Sequence, residues 1–426
     1  MSTNILSITG LEDALKGILE EGGLLVEDGL LVEDGSHVVD GVKPRFTATP
    51  SSAAELAAVL ACGNEHGAAI IPWGAGSSML LGNVPERYDI ALSTTRLDRV
   101  LEYEPADLTV TVEAGLRLAK LQALLNEQGQ FLPIGGPPQA TVGGLLAVGH
   151  GGPSQHAYGR PRDWLLGCRI ALVDGTVVHT GGRVVKNVAG YDLSRMMVGS
   201  LGTLGVFVEV TLKVAPLPAR EETLLITHAD MIEACDAIRA AAKRGLALRA
   251  TCVIGNRAVY WLSGAASAVE RTRRELDEAA DGSKIERMDA EAGEQFWDAL
   301  AVSDDAPELE VRASVPPSKA TDALRQLEVF SQDLSLGIGT VAYPTIGILI
   351  ARLSDGDTNA CADFIEQTRR AAVDAGGSLV VTRASADLKA RLDVWGESSA
   401  LSLMRSLKEE FDPKSVLNPG RYVGSI

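Results

Sequence analysis

The sequence has few basic residues, and this deficit excludes two broad classes of partner. Its 426 residues include 39 lysines and arginines against 56 aspartates and glutamates, so the formal net charge is −17 at pH 7. General binders of nucleic acid or anionic membranes present a basic face, because basic side chains displace the counterions of phosphates. We therefore expect no nucleic-acid partner and no docking of this chain to an anionic membrane surface.

Metal-binding patterns of cysteine and histidine are also missing. The five cysteines form no Cys-x-x-Cys motif, and the six histidines form no His-Glu-x-x-His motif. Such spacings are typical of zinc and iron–sulfur sites. We predict that the chain has no metal site. The predicted buried free thiols are Cys62, Cys168, Cys235, Cys252 and Cys361.

The chain lacks long hydrophobic runs. Apolar stretches such as Leu165–Val173 are shorter than a membrane span, and Met1–Gly10 lacks the basic and apolar parts of a secretory signal. A hydrophobic content of 46% is ordinary for soluble proteins, and the length allows two or three domains. We expect a cytoplasmic protein without a membrane span of its own, which could meet a membrane only through partner subunits.

Two glycines and two serines follow an apolar run in Ile70–Leu80, IIPWGAGSSML. The dinucleotide-binding fingerprint requires a third glycine where Met79 stands, and a P-loop requires a lysine, but no lysine lies between Lys43 and Lys120. Two interpretations remain: a turn that binds an anion through backbone N–H groups, and a turn with only a structural role. The stretch alone does not decide between them.

A second glycine-rich stretch covers residues 135–159, GGPPQATVGGLLAVGHGGPSQHAYG. Glycine loses much conformational entropy on folding, so this density indicates tight turns or the close approach of a planar or anionic ligand. Upstream, a capping box at Ser52 and Glu55 begins a helix that ends near Gly67, and the strand Ala69–Trp73 follows. The first glycine turn therefore lies at the carboxyl end of a strand.

The sequence changes character at Pro216–Pro218, which we interpret as a domain boundary. Beyond it, predicted strands alternate with helices near 229–244, 265–280 and 358–375, a pattern typical of an antiparallel sheet with helices on one side. The predicted strands are Thr223–Thr227, Leu248–Ile254, Ile346–Arg352 and Ser378–Val381. A last helix at about 397–411 precedes a non-helical tail.

Residues 186–214, KNVAGYDLSRMMVGSLGTLGVFVEVTLKV, combine several short motifs with a final alternating strand. They include Gly-Tyr-Asp-Leu at 190–193 and Gly-Thr-Leu-Gly-Val at 202–206. The combination resembles the FAD-binding domain of vanillyl-alcohol-oxidase/PCMH-type flavoproteins, and its full form is most similar to the FAD-binding subunit of bacterial glycolate oxidase (GlcE type). The resemblance extends from about Pro50 to Pro216 and resumes at Leu417–Arg421.

The resemblance implies an α+β fold with a PCMH-type FAD-binding domain of two subdomains and an α+β cap domain built on an antiparallel sheet. The implied divisions are an N-terminal segment at 1–49, the FAD-binding domain at 50–218, the cap or substrate domain at 219–385, and a C-terminal helix and tail at 386–426 that return to the FAD-binding domain. FAD is the implied cofactor.

The family's motifs assign FAD contacts to three glycine-containing stretches and to the C-terminal tail. Backbone N–H groups can hold a diphosphate without lysine, so an acidic protein can still bind this anion. The predicted FAD-binding residues are Pro72, Trp73, Gly74, Ala75, Gly76, Ser77, Ser78, Thr141, Gly143, Gly144, Gly149, Gly151, Tyr158, Gly205, Val206 and Asn418. Nearby basic residues either add positive field or form ordinary surface pairs: Arg160, Arg162, Arg183, Lys186 and Arg195.

Histidines that the family uses are absent at two places. Covalent members carry a histidine in the first loop, where Ser77–Met79 stand, so we expect non-covalent FAD. Catalytic flavin subunits for D-lactate and glycolate carry Gly-His-x-Gly-Asp-Gly-Asn-x-His in the second domain, but no histidine follows His228, and we interpret 354–360 as a solvated loop. Hydroxy-acid oxidation needs a base near the flavin. The catalytic base stays unassigned among His150, His156, Tyr158 and Tyr191.

Three functions are compatible with these residues. The first is the FAD-binding subunit of a glycolate (2-hydroxy-acid) dehydrogenase complex, whose partners are a second flavin subunit and an iron–sulfur subunit. The second is an autonomous FAD-dependent 2-hydroxy-acid dehydrogenase, and the third is a structural subunit that binds flavin poorly. The absence of cysteine clusters favours the first, because electrons must then leave the chain for a partner.

Overall fold

The structure, a computed structural model, describes residues 10–20, 22–26, 37–182, 192–301, 308–353 and 356–426. Outside them lie the greater part of the tandem repeat LLVEDG at 24–35, to which we assign no function, the start of the 354–360 loop, and the motif residues Arg183, Lys186 and Tyr191. The described residues form three principal sheets and one two-stranded ribbon.

The first sheet consists of short apolar strands covered by helices. Its elements are α1 (Leu11–Ile18), β1 (Leu24–Val26), β2 (Phe46–Ala48), α2 (Ala53–His66), β3 (Ile70–Trp73) and β4 (Ile90–Ser93). The strand order is β1-β2-β4-β3, and β2 and β3 both run parallel to β4. Helix α2 is the crossover that connects β2 to β3. As predicted, the Ser52 hydroxyl accepts a hydrogen bond from the N–H of Glu55 at 3.2 Å, and Gly67 ends α2 with φ of +64°.

The second sheet is antiparallel and carries the glycine-rich stretch on its helices and loops. Its elements are β5 (Val100–Glu104), β6 (Thr109–Glu113), α3 (Leu118–Asn126), β7 (Gln130–Phe131), α4 (Val142–Val148), α5 (Gln155–Tyr158), β8 (Leu165–Ala171), β9 (Val177–Gly181), α6 (Leu193–Met197), β10 (Val206–Lys213) and β11 (Ala215–Pro216). The strand order is β5-β6-β10-β8-β9, and β7 pairs with β11 as the ribbon. Apolar residues of α3 and α4 pack with this sheet in one core.

The third sheet has eight antiparallel strands. Its elements are β12 (Arg220–Thr227), α7 (Met231–Ala242), β13 (Leu248–Ile254), β14 (Arg257–Gly264), α8 (Ala266–Ala279), β15 (Ile285–Met288), α9 (Ala290–Ala301), β16 (Leu309–Ser314), α10 (Ala320–Asp333), β17 (Ile338–Tyr343), β18 (Ile348–Leu353), α11 (Thr358–Asp374), β19 (Ser378–Arg383) and α12 (Ala386–Lys389). The strand order is β15-β12-β14-β13-β17-β18-β16-β19. Helices α7, α8, α10 and α11 cover one face, whereas Trp297 of α9 stacks on Trp261 on the other face, at 5.3 Å between ring centroids.

These sheets confirm the predicted α+β class, and they add elements that the sequence pattern did not predict. The alternating runs of β14, β16 and β17 and the helices α9 and α10 belong to the region for which only four strands and three helices were predicted. All five cysteines are buried and free, as predicted. Of the helices in the described ranges, none combines the length and apolar character that a membrane crossing requires.

The chain after α13 (Leu401–Phe411) returns to the first sheet. Leu417 forms a parallel bridge with Ile70, and the N–H of Asn418 donates to the Ile70 carbonyl at 2.9 Å. The buried ammonium of Lys408 holds this return, because it donates to Asp412 at 2.7 Å and to the Leu417 carbonyl at 2.8 Å. The return places Asn418 beside the first glycine turn.

Candidate functional site

The first glycine loop leaves a run of backbone donors free. None of the N–H groups of residues 74–78 donates a hydrogen bond to any residue that the structure describes. Gly76 has φ of +76°, and a Cβ there would lie 2.8 Å from the Trp73 ring, so only glycine allows this turn over the indole. The indole is fixed in turn, because its N–H donates to the Tyr88 hydroxyl at 2.6 Å. A rigid concavity of backbone donors is the geometry that binds phosphate oxygens.

The second glycine stretch packs directly against the first. Thr141 caps α4 and accepts a hydrogen bond from the N–H of Gly144 at 3.2 Å. Its hydroxyl occupies the place that a Cβ on Gly74 would take. A Cβ on Gly143 would lie 2.7 Å from the Ala114 methyl group, so glycine also lets α4 approach the strand end. The two glycine stretches thus form adjoining walls.

A third wall comes from the loop before β10 and from the C-terminal tail. The side-chain amide of Asn418, a residue with φ of +49°, donates to the Leu201 carbonyl. Gly202 has φ of +72°, and a Cβ there would lie 3.1 Å from Pro72. Together the three walls enclose a cleft of about 740 Å³, counting its open mouth, which we call the first cleft.

The first cleft brings together most of the predicted FAD-binding residues. Those in its lining are Pro72, Trp73, Gly74, Ala75, Gly76, Ser77, Ser78, Thr141, Gly143, Gly144, Gly205, Val206 and Asn418. The other three lie elsewhere. Gly149 packs on Gly199, Gly151 faces Gln155, and Tyr158 makes an edge contact with Phe131 in the core of the second sheet.

Two buried cations hold the first glycine loop by its carbonyl oxygens. Arg421 donates to the carbonyls of Met79 at 2.6 Å and Leu81 at 2.7 Å, and burial lowers its pKa to about 10, so it stays charged at neutral pH. Lys389 donates to the Leu80 carbonyl at 2.6 Å and to both carboxylate oxygens of Asp40 at 2.9 Å. Arg421 therefore places positive charge behind the loop, which itself has no basic residue, whereas the charge of Lys389 is compensated by Asp40.

A second cavity of about 1610 Å³, counting its open mouth, lies on the other side of the first glycine loop. It shares residues 76–79, Leu81 and Val148 with the first cleft. Its far wall is the face of the third sheet opposite α10 and α11. Because side chains alternate along a strand, Leu309, Val311 and Ala313 enter the helix-covered core while Arg312 between them faces the second cavity.

The charged groups of the second cavity are unequally paired. Glu310 accepts a hydrogen bond from Arg352 at 2.8 Å and from the Thr382 hydroxyl at 2.6 Å. Arg312 makes no hydrogen bond or ion pair with any described residue, and burial lowers its pKa. The guanidinium of Arg352 is thus compensated, whereas those of Arg312 and of Arg383, the third arginine of the lining, have no such partner among the described residues and are left for a ligand.

His150 lies on the opposite wall of the second cavity, at the end of the second glycine stretch. Burial, together with the positive charge of Arg312, lowers its pKa to about 3, so the imidazole is neutral at pH 7. His156 lies outside the lining of this cavity and shares a hydrogen bond with the Thr345 hydroxyl at 2.9 Å. Arg195, another predicted contributor, forms an exposed ion pair with Asp192 at 3.1 Å.

Two family models match the chain: an FAD binding domain at residues 44–181 and the C-terminal domain of FAD linked oxidases at residues 279–422. The chain is an FAD-dependent oxidoreductase. The oxidoreductase is 26% identical over 423 residues to glycolate oxidase subunit GlcD of Bacillus subtilis, and the alignment covers 89% of this chain and 88% of that protein. It is 37% identical over 204 residues to glycolate oxidase subunit GlcE of Escherichia coli, and that alignment covers 47% of this chain and 55% of that protein.

The fold of the oxidoreductase is similar to that of p-cresol methylhydroxylase, with a TM-score of 0.75 and 16% identity over 98% of this chain and 97% of that one. The predicted PCMH-type α+β fold and the predicted FAD-linked family are therefore confirmed. The finer GlcE type is matched over about half of the oxidoreductase, whereas GlcD is matched over nearly all of it.

FAD is the cofactor of the oxidoreductase, and the residues of the first cleft fit it. Free N–H groups line the first loop, and the missing Cβ atoms keep the walls close. The described lining contains no histidine, cysteine or tyrosine that could form a bond to the flavin, in agreement with non-covalent FAD. Nor do any three His, Cys, Asp or Glu side chains of the described residues come together as metal ligands.

Sequence reasoning predicted the strand Ile346–Arg352 of the far wall but missed the strand beside it that carries Arg312. Arg312 and Glu310 belong to the stretch LEVRAS of β16, for which no strand was predicted. The signal was present, because apolar Leu309, Val311 and Ala313 alternate with the polar residues. What the sequence did not reveal is that the charged side of this strand faces the glycine loop.

Proposed function

We propose that this chain is the FAD-binding subunit of a glycolate (2-hydroxy-acid) dehydrogenase complex, that it oxidises a small 2-hydroxy acid in the second cavity, and that it delivers the electrons to partner subunits. The observation that carries this proposal is the unpaired guanidinium of Arg312 in a cavity that adjoins the FAD cleft. Guanidinium groups bind carboxylates with two parallel hydrogen bonds. A 2-hydroxy acid carries its carboxylate next to the carbon that loses hydride, so anchoring the carboxylate also places that carbon.

The predicted residues of the first cleft hold FAD in this proposal. The free N–H groups of residues 74–78 bind the diphosphate, and Arg421 and Lys389 stabilise the loop that presents them. FAD, when bound, accepts the hydride and so supplies the oxidising chemistry. The protein orients the substrate, and the second cavity limits the size and charge of what can enter.

Partner subunits are proposed on two grounds. The chain has no cysteine cluster that could hold an iron–sulfur centre, so electrons from the reduced flavin must go to another molecule. The similarity to GlcE of Escherichia coli, which is named as a glycolate oxidase subunit, favours assembly with other subunits. In this proposal they are a second flavin subunit and an iron–sulfur subunit.

Anaerobic flavin bleaching of the purified chain tests the oxidation step. Glycolate and D-lactate should reduce the bound FAD and remove its visible absorbance. Arg312→Met should raise the substrate concentration needed for half-maximal reduction by about 10- to 100-fold, because a charged hydrogen-bond partner is lost. Arg370→Met is the matched control, because Arg370 is an exposed arginine on α11.

A yellow chain that no 2-hydroxy acid bleaches would contradict the oxidation step. Turnover with an added electron acceptor, compared with and without co-expressed partner subunits, tests the complex. Full turnover by the chain alone would favour the autonomous dehydrogenase over a subunit.

A further inference from the structure

His150 is the one titratable side chain that the described residues of the FAD-binding half contribute to the lining of the second cavity. The loop that carries it is fixed on both sides. Gly149, with φ of +74°, packs against Gly199, and Gly152, with φ of +65°, packs against Gly135. The imidazole itself makes no hydrogen bond with any described residue, so its ring nitrogens are available to a ligand.

The other polar groups of the cavity are unsuited to accept a proton. Glu310 is already engaged by Arg352 and Thr382, and the arginines carry charge at neutral pH. Burial raises the pKa of Tyr343, so its phenol stays protonated. Among the described residues of this cavity, a neutral imidazole facing a free guanidinium is the remaining base.

We propose that His150 is the general base of 2-hydroxy-acid oxidation and that Arg312 holds the substrate carboxylate opposite it. This inference rests on the function proposed above. The bond between hydrogen and the substrate hydroxyl oxygen breaks and its proton goes to an imidazole nitrogen of His150. The hydrogen on C2 leaves with its electron pair to oxidised FAD, a C2=O double bond forms, and the 2-oxo acid is released.

Substrate binding prepares the base for its task. In the substrate-free cavity the charge of Arg312 helps to lower the pKa of His150. A bound carboxylate compensates that charge, so the imidazole becomes more basic when the hydroxyl group is in place. Other charged or titratable groups act on the same space: Glu310, Tyr343, Arg352, Arg383, and Arg160, whose charge also acts on Arg312.

The first test needs no turnover. Oxalate, an unreactive dicarboxylate, is added to the FAD-loaded chain labelled with ¹³C-histidine, and the pKa of His150 is followed by NMR, with His150→Gln to assign its resonance. We expect oxalate to raise this pKa by at least about one unit, and to raise it far less in Arg312→Met. A wild-type pKa that oxalate does not change, although oxalate perturbs the flavin absorbance, would overturn the proposal.

The second test measures the chemical step. His150→Gln should keep FAD and oxalate binding but slow anaerobic flavin reduction by about 100- to 10,000-fold. The decrease in the rate of flavin reduction at acidic pH, which the wild type should show, should be absent from this variant. His156 belongs to the same glycine-rich stretch, six positions after His150, but lies outside the cavity lining. The control variant His156→Gln should therefore reduce flavin at the wild-type rate.

The outcomes separate this inference from the function on which it rests. If the wild type bleaches with glycolate or D-lactate and His150→Gln does so at the same rate, His150 is not the base although the proposed function stands. If no 2-hydroxy acid bleaches the wild type and oxalate leaves its flavin absorbance unchanged, the proposed function fails and this inference fails with it.

Discussion

The first cleft and the second cavity share one glycine loop but are built by opposite means. The first cleft presents backbone N–H groups and glycines, and its one charged lining residue, Arg421, is engaged with carbonyl oxygens. The second cavity presents charged side chains on strands of the third sheet. Backbone donors bind an anion at constant geometry, whereas side chains such as Arg312 can differ between proteins of one fold. In the proposed assignment, the first cleft would therefore bind FAD by a generic means, and the second cavity would determine substrate specificity.

Substitution of Gly74 should abolish the first cleft. The side chain of Gly74→Val would overlap the Thr141 hydroxyl and separate the two glycine stretches. We expect the flavin content of the purified chain to fall by more than about 10-fold, because even a small misplacement removes several backbone contacts. The visible spectrum of the desalted protein measures this content.

Gly339→Ala provides the control for that variant, because nothing lies within 4 Å of a Cβ at this strand position. It should retain a wild-type flavin content. A fully yellow Gly74→Val protein would show that the contact between the two stretches is not needed for the cofactor.

Removal of the carboxylate that pairs with Lys408 should have the next largest effect, a loss of folding stability. Asp412→Ala leaves a buried ammonium without its partner, and we expect the free energy of unfolding to fall by about 3–5 kcal/mol. Urea titration measures the loss. Glu366→Ala, from an exposed pair with the same spacing, should cost less than about 1 kcal/mol. Equal losses in the two variants would contradict the special role of the buried pair.

Removal of one negative charge from the second cavity should change anion binding there without changing flavin binding in the first cleft. Glu310→Gln leaves Arg352 without a carboxylate and adds one net positive charge to the second cavity. We expect oxalate to bind about 3- to 10-fold more tightly while flavin content stays unchanged. Titration of the flavin absorbance with oxalate reports both quantities. Weaker oxalate binding would indicate that Glu310 mainly positions the cavity wall.

Acid should destabilise the fold through His150, with the smallest effect of the four. The folded pKa of about 3 lies below the ordinary value of 6.5, so the unfolded chain binds the proton more readily. The contribution of this group to stability is complete above pH 6.5 and is lost as the pH falls from 6.5 toward 3. Urea titrations at pH 7 and pH 5 should show a smaller loss for His150→Gln than for the wild type. An equal loss would contradict burial of the neutral imidazole.

The sequence was informative where function depends on consecutive residues. The loop at 74–78 and the Thr141–Gly144 turn could be predicted, because positive φ and close approach demand glycine at fixed spacing. Tyr158 was predicted as an FAD contact from its position in a motif, but its ring packs against the core of the second sheet. Arg312 and Lys389 could not be predicted as neighbours of the first loop, because strand register and tertiary packing bring them there from more than 200 residues away.

The C-terminal return has a consequence for how the protein matures. Arg421 holds the Met79 carbonyl across 342 positions of chain, and Lys389 holds Leu80 across 309. During synthesis the glycine loop therefore emerges long before the groups that fix it, and it stays unsupported until the third sheet has formed. Such distant pairings are slow to form. Stable flavin loading accordingly belongs to the end of folding, after the tail has docked.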